Sequence, residues 1–142
     1  MATVFTMIIE GDLPGRFVWR DERAVAFLSI NPLTTGHVLV VPVEEVDHWI
    51  DLDAGTWAHL GEVARTIGRA LDRAFDTARI GTVVAGFEVP HVHIHVFPAD
   101  TMEQFDFRNA ATDPDAASMD DAAERIRRAL VELGHGDNVS EA

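Results

Sequence analysis

The stretch His-Val-His-Ile-His-Val-Phe-Pro at residues 91–98 decides how this chain folds. Side chains of a β-strand point to opposite faces with a period of two. As a strand, this stretch carries its histidines on one face, namely His91, His93 and His95. Its other face carries Val92, Ile94 and Val96. The alternation therefore predicts a strand with one face in the hydrophobic core and one face equipped for chemistry.

Alternate histidines are compatible with several functions. An imidazole serves as a general acid or base, as a nucleophile or, when neutral, as a metal ligand. The remaining alternative is a solvent-exposed strand face with no functional role, for which lysine or threonine would be sufficient. The strand alone favours a histidine-based catalyst, with a metal site as the second interpretation.

Length and composition predict one globular domain. The chain has 142 residues, of which 47% are hydrophobic, and this is enough for one proper core and too short for two ordinary domains. We expect a single domain over residues 1–134 and a frayed C-terminal tail over residues 135–142. The first residues lack a signal-peptide pattern, and no apolar run has the length of a membrane span. We therefore expect a cytoplasmic protein without a membrane partner.

The charge distribution excludes several classes of function. The formal net charge is −13, from 24 acidic and 11 basic residues, and every basic residue is arginine. Such a field repels polymeric nucleic acid, although one pocket can still bind a small nucleotide. The absence of lysine excludes a covalent lysyl-nucleotide, and the absence of cysteine excludes disulfides and thiolate catalysis. If a covalent intermediate forms, we expect histidine to be the side chain that carries it.

Hydrophobic periodicity predicts an α+β domain with a mainly antiparallel sheet of five strands. Helices are predicted at 4–10, at 54–75 after an N-cap at Asp53, and from a cap near Ser118 to Gly134. The predicted strands cover residues 17–20, 24–30, 37–42, 80–85 and 91–98. The loop over 99–109 is expected to dock through Phe105 and Phe107. The architecture is thus one long central helix and a C-terminal helix on a five-stranded sheet.

The stretch from His91 to Val96 resembles the His-x-His-x-His-x signature of the histidine triad (HIT) family of nucleotide hydrolases and transferases. The segment from Pro32 to Pro42, with Gly36 and His37, is similar to a second block of that family. The segment from Phe5 to Pro14 is similar to a first block. Order and spacing agree over residues 4–98, about two thirds of the chain. The resemblance implies a HIT-like fold.

The resemblance also implies a mechanism. His93 would attack the α-phosphorus of a nucleotide and form a nucleotidyl-histidine, which water then resolves. His95 would donate to the phosphate or the leaving group, and His91 and His37 would orient and support the site. An intact third histidine favours the hydrolase branches, and among them a Hint-like phosphoramidase. No cofactor and no metal ion is expected at His93.

A nucleoside pocket is implied by the same resemblance. The residues that match its apolar walls are Phe5, Ile8, Leu13, Phe27 and Ile30. We expect at most half of them to contact the nucleoside and the others to belong to the hydrophobic core. Ser29 stands where the family usually has Asp or Asn to hold the ribose. Glu88 stands where a hydroxyl commonly touches the phosphate, and an ionised carboxylate there repels substrate unless it is protonated, paired or turned away.

The expected substrate is a purine nucleotide, from which AMP is released by cleavage of a phosphoramidate or a related phosphate bond. One alternative is hydrolysis of dinucleoside polyphosphates with the same histidine. Another is a regulatory module that binds nucleotide with negligible turnover, and a metal protein is the least favoured. Family members usually form dimers, so we expect a homodimer.

Overall fold

The computed structural model describes residues 2–142 and contains one five-stranded sheet with three α-helices. The helices are α1 (Val4–Glu10), α2 (Ala54–Ala74) and α3 (Ala116–Glu132). The strands are β1 (Phe17–Arg20), β2 (Ala24–Leu28), β3 (Val38–Pro42), β4 (Arg79–Val83) and β5 (Ile94–Ala99). Their order is β1-β2-β3-β5-β4, and every neighbouring pair is antiparallel. The predicted α+β class is confirmed.

The two faces of the sheet bury different hydrophobic clusters. One face packs against α2 and α3, and its buried residues include Val40, Ile94 and Val96. The other face lies under α1 and holds a smaller cluster made by Phe5, Phe17, Val25, Phe27, Leu39 and Val41. Because β2 and β3 contribute to both clusters, all of their residues are buried, as their continuous apolar sequence predicts.

Strand pairing places four side chains in one line across the sheet. Phe17 pairs with Phe27, Phe27 with Leu39, and Leu39 with His95. Directly paired residues of antiparallel strands lie on the same face. We call Phe17, Phe27, Leu39 and His95 the cross-sheet row. It runs from β1 to β5 and joins the smaller cluster to the histidines.

The histidine stretch differs from its predicted bounds because β5 begins only at Ile94. His91 and His93 lie in the segment before it. The ladder between β3 and β5 ends at the pair Val40–Ile94. Beyond this point the N–H of Val92 donates to the carbonyl of Val46, in the loop after β3. The predicted alternation is retained, since Val92, Ile94 and Val96 belong to the core that packs against α2.

Helix capping agrees with the prediction for α2 and differs for α3. Asp53 caps α2, and its carboxylate accepts from the N–H of Thr56. α3 begins at Ala116, because the carboxylate of Asp115 accepts from both the N–H and the hydroxyl of Ser118. Ser118 is therefore a residue of the first turn and not the cap. No helix in residues 2–142 is both long and apolar enough to cross a bilayer.

The segment after β5 docks as predicted. It forms two short 3-10 turns, Met102–Phe105 and Phe107–Asn109. The ring of Phe105 lies 4.9 Å from that of Phe97, and the ring of Phe107 lies 4.8 Å from that of His95. This docking brings the segment to the histidine side of the sheet.

The residues predicted to fray make contacts with β1. The ring of His135 lies 5.8 Å from that of Trp19. The side-chain amide of Asn138 donates to the carbonyl of Arg20 at 3.4 Å, and Nε of Arg20 donates to the carbonyl of Ala142 at 2.9 Å. In this structure residues 135–142 thus pack against the edge strand β1.

Candidate active site

A cavity of about 840 Å³ opens between α1, the ends of the central strands and the segment after β5. Nine of the eleven site residues predicted from the sequence line this cavity: Phe5, Ile8, Phe27, Ser29, Ile30, His37, Glu88, His93 and His95. The polar part holds the histidines, and the middle is walled by apolar side chains. The fold therefore brings together segments that are far apart in sequence.

Two predicted residues do not line the cavity. Leu13 is 36% exposed on the surface. After α1 the N–H groups of Asp12 and Leu13 both donate to the carbonyl of Met7. This tight turn leaves Leu13 outside the wall, so the expectation for Leu13 is wrong. His91 is fully buried behind the cavity, a position that suits a supporting residue.

Hydrogen bonding determines which nitrogen of His93 carries the proton. Nδ1 of His93 lies 2.8 Å from the carbonyl oxygen of His91. A carbonyl can only accept, so Nδ1 carries the hydrogen and Nε2 keeps its lone pair. Burial lowers the pKa of His93, although the hydrogen bond to His91 and the charge of Glu88 act in the opposite direction. Near neutral pH the ring is therefore neutral, and Nε2 has a free lone pair.

His37 and His95 form a directed chain of hydrogen bonds. The backbone N–H of Leu33 donates to Nδ1 of His37 at 2.9 Å. Nε2 of His37 must then carry the hydrogen, which it donates to Nδ1 of His95 at 2.9 Å. Burial lowers the pKa of His37 to about 4 and that of His95 to about 3. His95 is thus a neutral ring that presents an Nε2–H donor.

His91 is held at both ring nitrogens. Nε2 donates to the carbonyl of Pro42 at 2.8 Å, and Nδ1 accepts from the hydroxyl of Thr3 at 2.8 Å. Thr3 is also the N-cap of α1. The carboxylate of Glu45 accepts from the N–H of Thr3 at 2.8 Å and from the hydroxyl of Thr6 at 2.7 Å. This network attaches α1, which carries Phe5 over the cavity, to the residue that supports His93.

Replacing Thr3 tests this network. We expect Thr3→Val to lower the free energy of unfolding by about 1–3 kcal/mol, because α1 loses its cap and buried Nδ1 of His91 loses its donor. Thr3→Ser keeps the hydroxyl and is the matched control. Urea denaturation followed by tryptophan fluorescence measures both variants. Equal stability of the valine and serine variants would contradict the role of the hydroxyl.

Aromatic rings surround the two histidines of the cavity. The ring of Phe5 meets that of His93 edge to face at 4.9 Å, and Phe107 meets His95 in the same manner at 4.8 Å. Such contacts restrict ring rotation and exclude water. The position of each imidazole is therefore set by packing as well as by hydrogen bonds.

Sequence reasoning missed one wall of the cavity. This wall comprises residues before β1, after β2, after β5 and on α3: Arg16, Asn31, Phe107, Arg108, Ala110, Ala111, Thr112 and Asp120. Ala111 joins the segment after β5 to the loop after β2, since its carbonyl accepts from Asn31 and its N–H donates to Pro32. No motif marks these residues. The two phenylalanines after β5, Phe105 and Phe107, were the available signal. They predicted that this segment docks on the domain, but not where it docks.

Glu88 lies at the exposed rim of the cavity. Its negative charge favours the protonated form of His93, but burial of the ring outweighs this effect. The carboxylate lies in solvent near His93, which avoids the cost of burying a charge.

Solved structures and curated proteins resemble this chain over most of its length. The crystal structure of a zinc-bound histidine triad family protein from Mycobacterium smegmatis has a TM-score of 0.81 and 27% identity, and the match covers 96% of this chain and 98% of that one. An uncharacterised HIT-like protein of Borreliella burgdorferi is 35% identical over 112 residues, which cover 74% of this chain and 81% of that protein.

The structure of the M. smegmatis protein is described as zinc-bound. Among residues 2–142, no group of three or more His, Asp or Glu side chains is arranged to hold a metal ion. The ring nitrogens of His91 are bonded to Thr3 and Pro42, and His37 is bonded to His95.

Two relatives from Schizosaccharomyces pombe have names that state an activity. Adenosine 5'-monophosphoramidase is 27% identical over 104 residues, which cover 72% of this chain and 78% of that protein. The asymmetrical bis(5'-nucleosyl)-tetraphosphatase is 33% identical over 85 residues, which cover 56% of this chain and 47% of that protein. The model of the HIT domain matches residues 10–102. This chain therefore belongs to the HIT domain family.

Proposed function

We propose that this protein is a nucleotide hydrolase of the phosphoramidase type, which releases AMP from a phosphoramidate through a nucleotidyl-histidine at His93. The observation that carries the proposal is the pair of tautomers in one cavity. His93 keeps a lone pair on Nε2, and His95 presents an N–H. A nucleophile beside a hydrogen-bond donor is the arrangement that displacement at phosphorus needs.

The reaction takes place in two displacements. Nε2 of His93 forms a bond to phosphorus, the bond from phosphorus to the leaving nitrogen breaks, and that nitrogen takes one proton from solvent, so that it departs as a neutral amine. Water then attacks phosphorus, the bond to His93 breaks, and the water's proton returns to solvent, which restores the neutral ring of His93. His95 donates its Nε2–H to the phosphate or leaving group, where charge develops. The Nδ1–H bond to the carbonyl of His91 stabilises the positive ring of the intermediate.

The test is release of AMP from adenosine 5'-phosphoramidate by the wild-type chain without added metal. The named activity of the S. pombe phosphoramidase supports this choice of substrate. We expect turnover, with an alkali-quenched intermediate heavier than the free chain by one adenylyl group, which is AMP less one water. Absence of both product and adduct from a folded sample would contradict the proposal.

A second candidate is hydrolysis of a dinucleoside polyphosphate by the same histidine. It is supported by the name of the S. pombe tetraphosphatase and by a cavity volume of about 840 Å³, which exceeds the size of one nucleotide. Diadenosine tetraphosphate tested beside the phosphoramidate distinguishes the two, since the faster reaction identifies the leaving group. Calorimetric binding of AMP without turnover of either compound would favour a regulatory binding module.

We also propose a homodimer formed through β4. This strand is at the end of the sheet, and a groove of about 890 Å³ runs between it and α2. The floor of the groove is apolar, with Ile80, Val84 and Ile94. Antiparallel pairing of β4 with a second β4 would continue the sheet, cover its edge and bury this floor.

Thr82→Arg tests the homodimer because Thr82 is exposed on β4 beside Arg65 and Arg69 of α2 in the same groove. Light scattering should give twice the chain mass for the wild type and the single mass for Thr82→Arg, in which added positive charge opposes association. Val131→Arg, exposed on α3 outside the groove, should remain dimeric. A monomeric wild type would contradict the proposal.

A further inference from the structure

The active-site cavity ends in an ion pair that the mechanism does not use. Nε of Arg16, just before β1, donates to Oδ1 of Asp120 on α3 at 2.8 Å. Both residues line the same cavity as His93 and His95. The Arg16 side chain is 31% exposed and that of Asp120 is 71% exposed. The pair therefore lies at the mouth of the cavity, within reach of solvent and ligand.

The cross-sheet row gives the separation between the ion pair and the histidines. From Phe17 to His95 the row crosses three strand spacings, which amount to about 14 Å. Arg16 immediately precedes Phe17. The ion pair and the histidines are thus at opposite ends of the cavity, separated by a distance comparable with the length of an extended purine nucleotide.

The side chains between these ends are suited to a flat base. Phe5 and Phe27 meet edge to face at 5.6 Å, and Ile8 and Ile30 also line the cavity. These side chains form an apolar surface on which a base can stack, and they offer no donors or acceptors. A base stacked there with its phosphate at His93 would have its outer edge on the side of Arg16 and Asp120.

We propose that Arg16 and Asp120 read the outer edge of a purine base. This inference rests on the proposed function, because it needs the phosphate at His93. Among residues 2–142, the hydrogen bond of this pair engages only Nε of Arg16 and Oδ1 of Asp120. Oδ2 can accept from the 6-amino group of adenine, and the terminal N–H groups of Arg16 can donate to a ring nitrogen. A pyrimidine is too short to reach the pair.

The decisive experiment removes the 6-amino group from the substrate and, separately, the carboxylate of Asp120 from the protein. The kcat/KM of the wild type is compared for adenosine 5'-phosphoramidate and for the purine riboside analogue, which lacks the 6-amino group. We expect a preference of about tenfold for the adenosine compound, since a hydrogen bond to a charged group is stronger than one between neutral groups but this site is partly exposed. In Asp120→Ala the preference should fall below about twofold.

Asp121→Ala is the matched control, because Asp121 is the neighbouring exposed acid on α3 and does not line the cavity. It should retain the full preference. Arg16→Gln is a second variant, and it should also reduce the preference for adenine, because Asp120 loses the partner that holds its carboxylate in place. An unchanged preference in both Asp120→Ala and Arg16→Gln would overturn the proposal.

Binding measurements separate this inference from the catalytic proposal. Calorimetry compares AMP with purine riboside 5'-monophosphate in the wild type and in Asp120→Ala, and it needs no turnover. A preference for AMP that Asp120→Ala abolishes supports the edge contact even if neither phosphoramidate reacts. Equal affinity for both nucleotides in the wild type refutes the edge contact even if both phosphoramidates react.

Discussion

Replacing His93 with alanine should reduce the release of AMP from adenosine 5'-phosphoramidate by at least about a thousandfold, because the proposed mechanism forms its covalent intermediate on this side chain. The fold should survive, since the ring borders the cavity and does not fill the core behind the sheet. The variant leaves the carbonyl of His91 without its donor, so we expect a loss of about 1–2 kcal/mol in the free energy of unfolding.

His135→Ala is the control for this experiment. It also removes one imidazole, but the ring lies beside Trp19 and not in the wall of the cavity. AMP release, the alkali-quenched adduct and thermal unfolding should be measured for both variants. The adduct should disappear only in His93→Ala. Activity of His93→Ala within tenfold of the wild type, about 1.4 kcal/mol in the barrier, would refute the covalent role.

Acid should destabilise this protein through its buried histidines. Burial holds the pKa of His37 at about 4 and that of His95 at about 3, below the unfolded value of 6.5. Between these values the unfolded chain binds more protons than the folded chain, so the free energy of unfolding falls as the pH falls. Well above pH 6.5 both rings are neutral in the folded and in the unfolded chain, so they do not make the free energy of unfolding depend on pH. At pH 4 the cost for His37 alone is on the order of 3 kcal/mol.

The measurement is urea denaturation at intervals from pH 7 to pH 4, with the wild type and His37→Gln in parallel. Glutamine cannot take up a proton, so the variant should lose less stability between pH 6.5 and pH 4 than the wild type. Carboxylates titrate in both proteins, and the difference between the two slopes isolates the imidazole. Parallel slopes for the two proteins would contradict the prediction.

Local sequence was sufficient to predict most of the architecture. The alternation through residues 91–96 identified which side chains enter the core, because the period of two is a property of any extended chain. Asp53 identified the start of α2, since an N-cap acts on N–H groups only a few residues away. The start of α3 was misplaced because Asp115 and Ser118 are both good capping residues, and their shared hydrogen bond decides between them.

The site was only partly accessible from sequence. Motif spacing located His93, His95 and His37, and the structure places all three in one cavity. The same reasoning put Leu13 in the wall, although the turn after α1 leaves it on the surface. Asp120 carried no signal, because its relation to Arg16 depends on how α3 crosses the end of β1.

The sequence by itself determined the fold class and the identity of the histidines, since each follows from periodicity, capping or short motifs. The tertiary structure alone decided the proton positions on those histidines. They depend on Leu33 N–H, on the carbonyls of Pro42 and His91, and on the hydroxyl of Thr3. Two of these contacts join residues 49 and 88 positions apart. The tautomer of each ring depends on which donor or acceptor lies nearest in space, and only the folded chain establishes which group that is.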